Sequence, residues 1–135
     1  MINNIPNNGL TMRLLKGKFG VCRLDSTDLI PDWGQRGGFI SITRTLDELS
    51  VVCNEECIPN NIKCEKDWRI LKVEGPLDFS LIGILSSIST VLSRNRISIF
   101  AISTYDTDYI LVKSKDINNA IEALVNEGYG IVEER

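Results

Sequence analysis

The order of strand-like and helix-like segments in the second half of the chain restricts the fold more than any other feature. Residues 68–73 (WRILKV), 97–103 (ISIFAIS), 109–112 (YILV) and 129–132 (YGIV) are short runs rich in β-branched and aromatic residues. Each run is bounded by glycine, proline or polar residues, which is typical of β-strands. The polar turn between the second and third runs predicts a hairpin there.

Two stretches between these strands repeat apolar residues every three or four positions, so each predicts a helix with one apolar face. The first face consists of Leu81, Ile84, Leu85, Ile88, Val91 and Leu92, and the second of Ile117, Ala120, Ile121, Leu124 and Val125. Asn95 can end the first helix and Gly128 the second. The resulting order, strand, helix, strand, strand, helix, strand, predicts a four-stranded antiparallel sheet with both helices on one face.

The first half of the chain shows a similar but shorter pattern. Residues 39–45 (FISITRT) and 49–53 (LSVVC) predict one hairpin, and residues 14–24 predict another that turns at Gly17. Short helical turns are expected just before Trp33 and over residues 55–59. We therefore interpret this half as an abbreviated copy of the second.

These patterns predict an α+β protein made of two ferredoxin-like units in tandem. The first, abbreviated unit is expected over residues 1–67 and the second over residues 68–135. A hydrophobic content of 43% and a charged content of 24% predict a packed core in each.

Charge and hydropathy exclude several classes of partner. The chain has 8 basic and 9 acidic residues up to residue 67, and 7 basic and 9 acidic residues after it, so no basic face for nucleic acid or an anionic membrane is indicated. The amino terminus lacks the charged and apolar regions of a signal peptide, and no run approaches the roughly 20 apolar residues of a membrane span. A cytoplasmic protein is expected.

The sequence lacks several features on which many enzymes depend. The chain contains no histidine, and its GQRGG run at residues 34–38 is not followed by the long helix of a phosphate-binding loop. Cys53, Cys57 and Cys64 lack the spacing of a zinc knuckle, and without export we expect the thiols to stay reduced. The sequence therefore predicts a protein without catalytic activity, cofactor or metal.

Three segments carry a resemblance to a known family. Residues 72–79 (KVEGPLDF), 80–84 (SLIGI) and 97–112 (ISIFAISTYDTDYILV) resemble an ACT domain, and residues 39–53 resemble the abbreviated ACT unit that precedes it in bacterial tandem ACT proteins. The chain is also similar to the eukaryotic cytosolic arginine sensors and, more distantly, to the regulatory domains of aspartate kinases. The resemblance implies a regulatory module that senses a free amino acid at an interface between ACT units and acts through an unidentified partner.

Elementary chemistry agrees with that implication. The N–H groups at the start of the first helix favour a carboxylate, and the segment 103–108 offers hydroxyl, carbonyl and carboxylate oxygens for an ammonium or a cationic side chain. In the related arginine sensors, the aspartate that matches Asp108 contacts the ligand. The candidate ligand-binding residues are Asp78, Ser80, Leu81, Ile82, Gly83, Ser103, Thr104, Tyr105, Thr107 and Asp108.

Each candidate also has a purely structural interpretation. Asp78 and Ser80 can serve only as helix caps, and Gly83 can serve only to let the helix approach the sheet. Asp106 lies in a tight turn, where aspartate is common, or it forms a magnesium site with Asp108. At the level of function, the alternative is a structural, oligomerisation or docking module without a ligand. The exposed edges of such a sheet predict a dimer or a higher even oligomer.

Overall fold

The computed structural model describes residues 10–74 and 82–134. This part of the chain contains eight strands, two α-helices and three 3-10 helices, so the predicted mixed α+β class is confirmed. In chain order the elements are β1 (Thr11–Leu14), β2 (Phe19–Leu24), η1 (Asp32–Gln35), β3 (Ser41–Arg44), β4 (Leu49–Asn54), η2 (Glu55–Cys57), β5 (Cys64–Val73), α1 (Ile84–Arg94), β6 (Ile99–Ser103), β7 (Asp108–Lys113), η3 (Ser114–Asp116), α2 (Ile117–Asn126) and β8 (Gly130–Glu133).

The chain divides into two compact units, and one is inserted into the other along the sequence. Residues 10–16 and 69–134 form the discontinuous unit, and residues 17–68 form the inserted unit. The predicted boundary between residues 67 and 68 lies next to the second junction. The assignment of residues 1–67 to one domain stays a prediction, although residues 10–16 group with the discontinuous unit.

The sheet of the discontinuous unit has five strands in the order β8-β1-β5-β7-β6. β1 runs antiparallel to β5, with Met12 opposite Val73, and parallel to β8, with Met12 opposite Ile131. The predicted four-stranded, wholly antiparallel sheet is therefore wrong in one respect: β1 inserts between β5 and β8. β1 has only four residues, and its partners in β5 and β8 lie about 60 and 120 positions away, so the local sequence does not show this pairing.

Both helices pack on one face of this sheet, as the sequence predicts. Ile88 of α1 and Leu124 of α2 have no exposed surface, and burying such a side chain contributes roughly 1.5–3 kcal/mol. The Tyr129 hydroxyl, also buried, forms a hydrogen bond of 2.7 Å with the Ser87 hydroxyl of α1. The core residues are Met12, Leu14, Leu71, Val73, Ile88, Val91, Leu92, Ile97, Ile110, Val112, Ile117, Ala120, Ala123, Leu124 and Tyr129.

The helix ends follow ordinary capping chemistry. The Asn95 side-chain amide donates to the Val91 carbonyl at 2.9 Å, which satisfies one of the last carbonyls of α1. After α2, Gly128 adopts a φ of 95°, and the Tyr129 N–H donates back to the Leu124 carbonyl at 3.1 Å. A left-handed residue at this position is the common way to end a helix and favours glycine.

The hairpin predicted to turn at Gly17 is wrong. β1 and β2 do not pair with each other, because each runs antiparallel to the part of β5 in its own unit. Gly17 instead has a φ of 86°, a left-handed conformation that interrupts the extended chain between the two strands.

The inserted unit has the strand order β3-β4-β2-β5, and its pairs are antiparallel. The predicted hairpin of residues 39–53 is present as β3 and β4, with Ile42 opposite Val51. The turn expected over residues 55–59 is present as η2, whereas the turn expected to end at Trp33 is shifted, since η1 begins at Asp32 and ends at Gln35. Its core consists of Cys22, Leu49, Val51, Cys53 and Ile58.

Two further observations limit what the described residues can do. None of the helices in residues 10–74 and 82–134 is long and apolar enough to cross a membrane. Within the same residues, no group of three or more histidine, cysteine or carboxylate side chains is arranged to hold a metal ion.

Gly20 in β2 is packed so closely that it provides a test of the inserted unit. A Cβ at this position would lie 2.4 Å from Cδ1 of Ile58 and 2.7 Å from Sγ of Cys64. We expect Gly20→Ala to lower the free energy of unfolding by roughly 1–3 kcal/mol, the usual effect of overpacking a core. Urea denaturation followed by circular dichroism measures the change.

Gly38→Ala is the matched control. Among the described residues, no heavy atom would lie within 4 Å of a Cβ at Gly38, and its φ is not positive. Its free energy of unfolding should stay within about 0.5 kcal/mol of the wild type. Equal effects of the two substitutions would contradict the packing described for Gly20.

Candidate functional site

The β6–β7 hairpin turn is fixed to the end of β5 by one buried side chain. The Thr107 side chain is only 4% exposed, and its hydroxyl donates to the Val73 carbonyl at 2.5 Å. Across the turn, the Thr104 N–H donates to the Thr107 carbonyl at 2.8 Å, and the Thr107 N–H donates to the Thr104 hydroxyl at 3.3 Å. The turn therefore lies beside the end of the strand that leads to α1.

Asp108 lies at the rim of the sheet on the face that the helices cover. Successive residues of a strand point to opposite faces, so Asp108 shares a face with Ile110 and Val112. Both of these residues belong to the core formed with α1 and α2. The half-buried Asp108 carboxylate therefore lies on the helix side of the sheet.

Ser103 holds this carboxylate in place. Thr104 and Thr107 form a hydrogen-bonded pair, so the next pair along the hairpin, Ser103 and Asp108, is of the non-hydrogen-bonded type, in which side chains are closest. The Ser103 hydroxyl donates to Oδ1 of Asp108 at 2.5 Å. An ionised carboxylate has about four acceptor positions, so this one hydrogen bond leaves Asp108 able to accept others.

The start of α1 provides open N–H groups, but they begin later than the sequence predicts. α1 begins at Ile84, and its first hydrogen bond runs from the Ser87 N–H to the Gly83 carbonyl at 2.8 Å. The N–H groups without an intrahelical partner are therefore those of residues 83–86. The predicted helix start at Leu81 is therefore corrected to Ile84, whereas a ligand role for residues 81–83 stays a prediction.

Gly83 is the residue before α1, and its conformation explains why it is glycine. Its φ is 78°, in the left-handed region that other residues rarely adopt. Among the described residues, no heavy atom would lie within 4 Å of a Cβ there. The left-handed backbone conformation therefore explains the glycine at this position better than close packing of the helix against the sheet does.

The structure brings together four of the predicted residues: Ser103, Thr104, Thr107 and Asp108. Ile82 and Tyr105 are largely exposed, at 96% and 81%. Asp106 is an exposed residue of the turn. Asp78, Ser80 and Leu81 lie outside the described residues, so their predicted roles as caps or ligands stay predictions.

Sequence reasoning missed a charged group at the same end of β5. The Glu74 carboxylate accepts a hydrogen bond of 2.5 Å from Nε of Arg13 and lies 3.8 Å from Nζ of Lys72. Arg13 and Lys72 are direct cross-strand partners in β1 and β5. This group depends on the pairing of β1 with β5, which joins residues about 60 positions apart, so no local pattern could reveal it.

Comparison with family models agrees with the predicted resemblance. Residues 63–126 match the model of the ACT domain. Residues 17–61, which lie within the inserted unit, match a second model described as an N-terminal domain.

Three known proteins illustrate what the chain is similar to. A crystal structure of an Agrobacterium tumefaciens protein superimposes with a TM-score of 0.88 and 40% identity, covering 93% of this chain and 94% of that one. Cytosolic arginine sensor for mTORC1 subunit 1 from Bos taurus is 28% identical over 100 residues, and the match covers 66% of this chain and 30% of the bovine protein. Aspartate kinase from Clostridium acetobutylicum has a similar fold, with a TM-score of 0.61 and 15% identity over 95% of this chain and 36% of that chain.

The bovine match and the aspartate kinase likeness each cover about a third of the known chain, whereas the Agrobacterium protein matches along nearly its whole length. The resemblance predicted from residues 72–112 is thus confirmed by the family model and by these relatives. Residues 63–126 of the chain therefore belong to the ACT domain family.

Proposed function

We propose that this chain is a regulatory module that binds a free amino acid in the cytoplasm and has no catalytic activity of its own. The ACT domain match, the similarity to an arginine sensor and the fold shared with aspartate kinase support this proposal. We further propose that the module acts through a protein that it regulates.

The observation that carries the proposal is the position of the Asp108 carboxylate. It lies on the helix side of the sheet rim, is held by Ser103, and belongs to a hairpin tied to β5 through Thr107 and Val73. Because β5 precedes α1 in the chain, we expect the N–H groups of the α1 terminus at the same end of the unit as this anionic side chain. A free α-amino acid requires these two groups for its ammonium and its carboxylate.

The two charged groups of the ligand are assigned by electrostatics. The amino-terminal end of a helix carries partial positive charge, so the ligand carboxylate is expected at the N–H groups of residues 83–86. Asp108 and the carbonyls near Thr104 are then available to the ammonium or to a cationic side chain. Arginine is the first ligand to test, since the carboxylate of Asp108 favours a cation and the bovine relative is named as an arginine sensor.

We expect the site to depend on the charge of Asp108. Asp108→Asn should weaken binding of the amino acid by roughly 2–3 kcal/mol, the size of a lost charge-assisted hydrogen bond. A ligand at about 100 times its dissociation constant adds roughly 2.7 kcal/mol of stability, so most of the wild-type thermal shift should disappear in the variant. A thermal-shift screen of all proteinogenic amino acids, followed by titration calorimetry, measures both quantities.

Asp106→Asn is the matched control for this experiment, because it removes the same charge from the exposed turn two residues away. It should bind within a few fold of the wild type. If no amino acid shifts the wild-type melting temperature, or if Asp108→Asn binds as tightly as the wild type, the proposed site is wrong.

A specific feature of β6 favours the second function, an oligomerisation module. Among the described strands, β6 pairs only with β7, so its other side is an open sheet edge. Its sequence, IFAIS, contains no charge, proline or glycine, the features that commonly protect an edge from pairing. We infer that this edge pairs with the same edge of a second copy in a homodimer.

The hairpin register identifies the backbone group that such pairing would use. Hydrogen-bonded and non-hydrogen-bonded pairs alternate along an antiparallel hairpin. Because Thr104 and Thr107 form a hydrogen-bonded pair, Ile102 and Phe100 also lie in hydrogen-bonded pairs with β7. The N–H of Ala101, which lies between them, therefore points away from β7. Ala101→Pro should therefore remove one N–H from the open edge without breaking a hydrogen bond of the hairpin.

We expect Ala101→Pro to shift the wild-type dimer towards monomer in size-exclusion chromatography with light scattering. Ala101→Ser, which keeps the N–H, should leave the dimer unchanged. A wild type that is monomeric at all concentrations up to the millimolar range would exclude the dimer, and a dimer unaffected by Ala101→Pro would exclude this edge.

A further inference from the structure

All four cysteines of the chain lie in the inserted unit, and two of them face each other. Cys22 in β2 is the direct cross-strand partner of Cys64 in β5. Their sulfur atoms are 3.5 Å apart, and all four thiols are free. Cys53 is fully buried in the same core, whereas Cys57 and Cys64 are partly exposed.

The register of β2 and β5 makes this pair suitable for a covalent bond. The Arg23 N–H donates to the Lys63 carbonyl at 3.0 Å, so these two residues form a hydrogen-bonded pair. The adjacent pair, Cys22 and Cys64, is therefore non-hydrogen-bonded, with Cα atoms typically about 4.5 Å apart. This separation lies within the range of roughly 4.4–6.8 Å that disulfides span.

The packing around Cys64 leaves space for its thiol beside Cys22. A side chain on Gly20 would lie 2.7 Å from Sγ of Cys64, so the glycine provides the space that this thiol occupies. The two thiols differ in access, because Cys22 is only 1% exposed and Cys64 is partly exposed. A reagent in solution therefore reaches Cys64 first.

We propose that Cys22 and Cys64 form a thiol–disulfide switch that exchanges with a low-molecular-weight disulfide such as oxidised glutathione. The Cys64 thiolate attacks one sulfur of glutathione disulfide, which breaks its S–S bond, forms a mixed disulfide and releases one glutathione thiolate. Cys22 then loses its proton to solvent and attacks the Cys64 sulfur, which forms the Cys22–Cys64 bond and releases the second glutathione. The protein thiols are oxidised by two electrons, and glutathione disulfide is reduced to two glutathione molecules.

The other two cysteines are less suited to this chemistry. Burial, together with the nearby Cys57 and Cys64 sulfurs, raises the pKa of Cys53 to about 11, and the Cys53 side chain has no exposed surface. Cys57 lies in η2, four residues after Cys53 in the sequence. Burial also raises the pKa of Cys22, which fits its assignment as the second thiol to react, after Cys64 has formed the mixed disulfide.

The bond would close most of the inserted unit into one covalent loop. Cys22 and Cys64 are 42 positions apart, and the segment between them contains β3, β4 and both 3-10 helices of this unit. A disulfide across such a loop restricts the unfolded chain more than the folded one. Oxidation should therefore raise the melting temperature by roughly 10 °C.

To test the proposal, the folded wild-type protein is incubated with oxidised glutathione and then denatured, and its remaining thiols are blocked with iodoacetamide. The intact mass and a peptide map under non-reducing conditions are then determined. We expect the number of alkylated cysteines to fall from four to two, and the map to join the peptides of Cys22 and Cys64. The melting temperature should rise and return to its starting value after addition of dithiothreitol. The wild-type map identifies the pair without any variant.

Single substitutions separate the two steps. Cys22→Ala should trap one glutathione on Cys64 as a stable mixed disulfide, because the second thiol is missing. Cys64→Ala should leave Cys22 as a thiol, and the matched control Cys53→Ala, which removes another buried thiol, should still form the Cys22–Cys64 bond.

Three results would overturn the proposal. The first is that all four cysteines of the wild type are still alkylated, so that no disulfide has formed, under oxidising conditions strong enough to convert dithiothreitol fully to its disulfide. The second is a map that joins Cys53 to Cys57, and the third is a Cys22–Cys64 bond that appears only after the protein has been unfolded.

Discussion

β5 is the strand on which the rest of the structure depends, because it pairs with three other strands. In the discontinuous unit, its residues 69–73 lie between β1 and β7, and in the inserted unit, its residues 64–68 pair with β2. Its end also accepts the Thr107 hydrogen bond that fixes the β6–β7 turn. A change that displaced residues 69–73 would therefore alter the candidate ligand site and the β1 pairing, and one that displaced residues 64–68 would alter the Cys22–Cys64 pair.

The parts of the fold that sequence analysis predicts correctly are those that local patterns determine. A helix with an apolar face must bury it, so the three- and four-residue spacing around Ile88 and Leu124 was sufficient to predict α1 and α2. The β6–β7 and β3–β4 hairpins were likewise predictable, because a short polar turn between two apolar runs allows few other arrangements. In each case the contacts that form the element lie within about 20 residues of one another.

The errors arise where a contact joins distant residues or where a single backbone conformation decides the outcome. Met12 contacts β5 and β8 through partners about 60 and 120 positions away, and nothing in the sequence around it indicates this. The prediction of a hairpin at Gly17 failed for the same reason, since β2 finds a better partner in β5. At Gly83, the sequence correctly marked a special position, but its left-handed conformation, which moves the start of α1 to Ile84, follows only from the structure.

The candidate site stays a prediction, and the structure adds how the Asp108 side chain is oriented. In a non-hydrogen-bonded pair at the end of a hairpin, the side chains of Ser103 and Asp108 are close enough for one to hold the other. A carboxylate already oriented by a hydroxyl loses less conformational freedom when a cation binds, so more of the interaction free energy appears as affinity. Since one hydrogen bond from Ser103 occupies only part of the capacity of the carboxylate, an ammonium can add to the existing bond and does not need to displace it. In the proposed complex the hairpin therefore keeps its conformation, and we propose that a signal to a partner arises at the start of α1, where the carboxylate of the ligand would meet the helix.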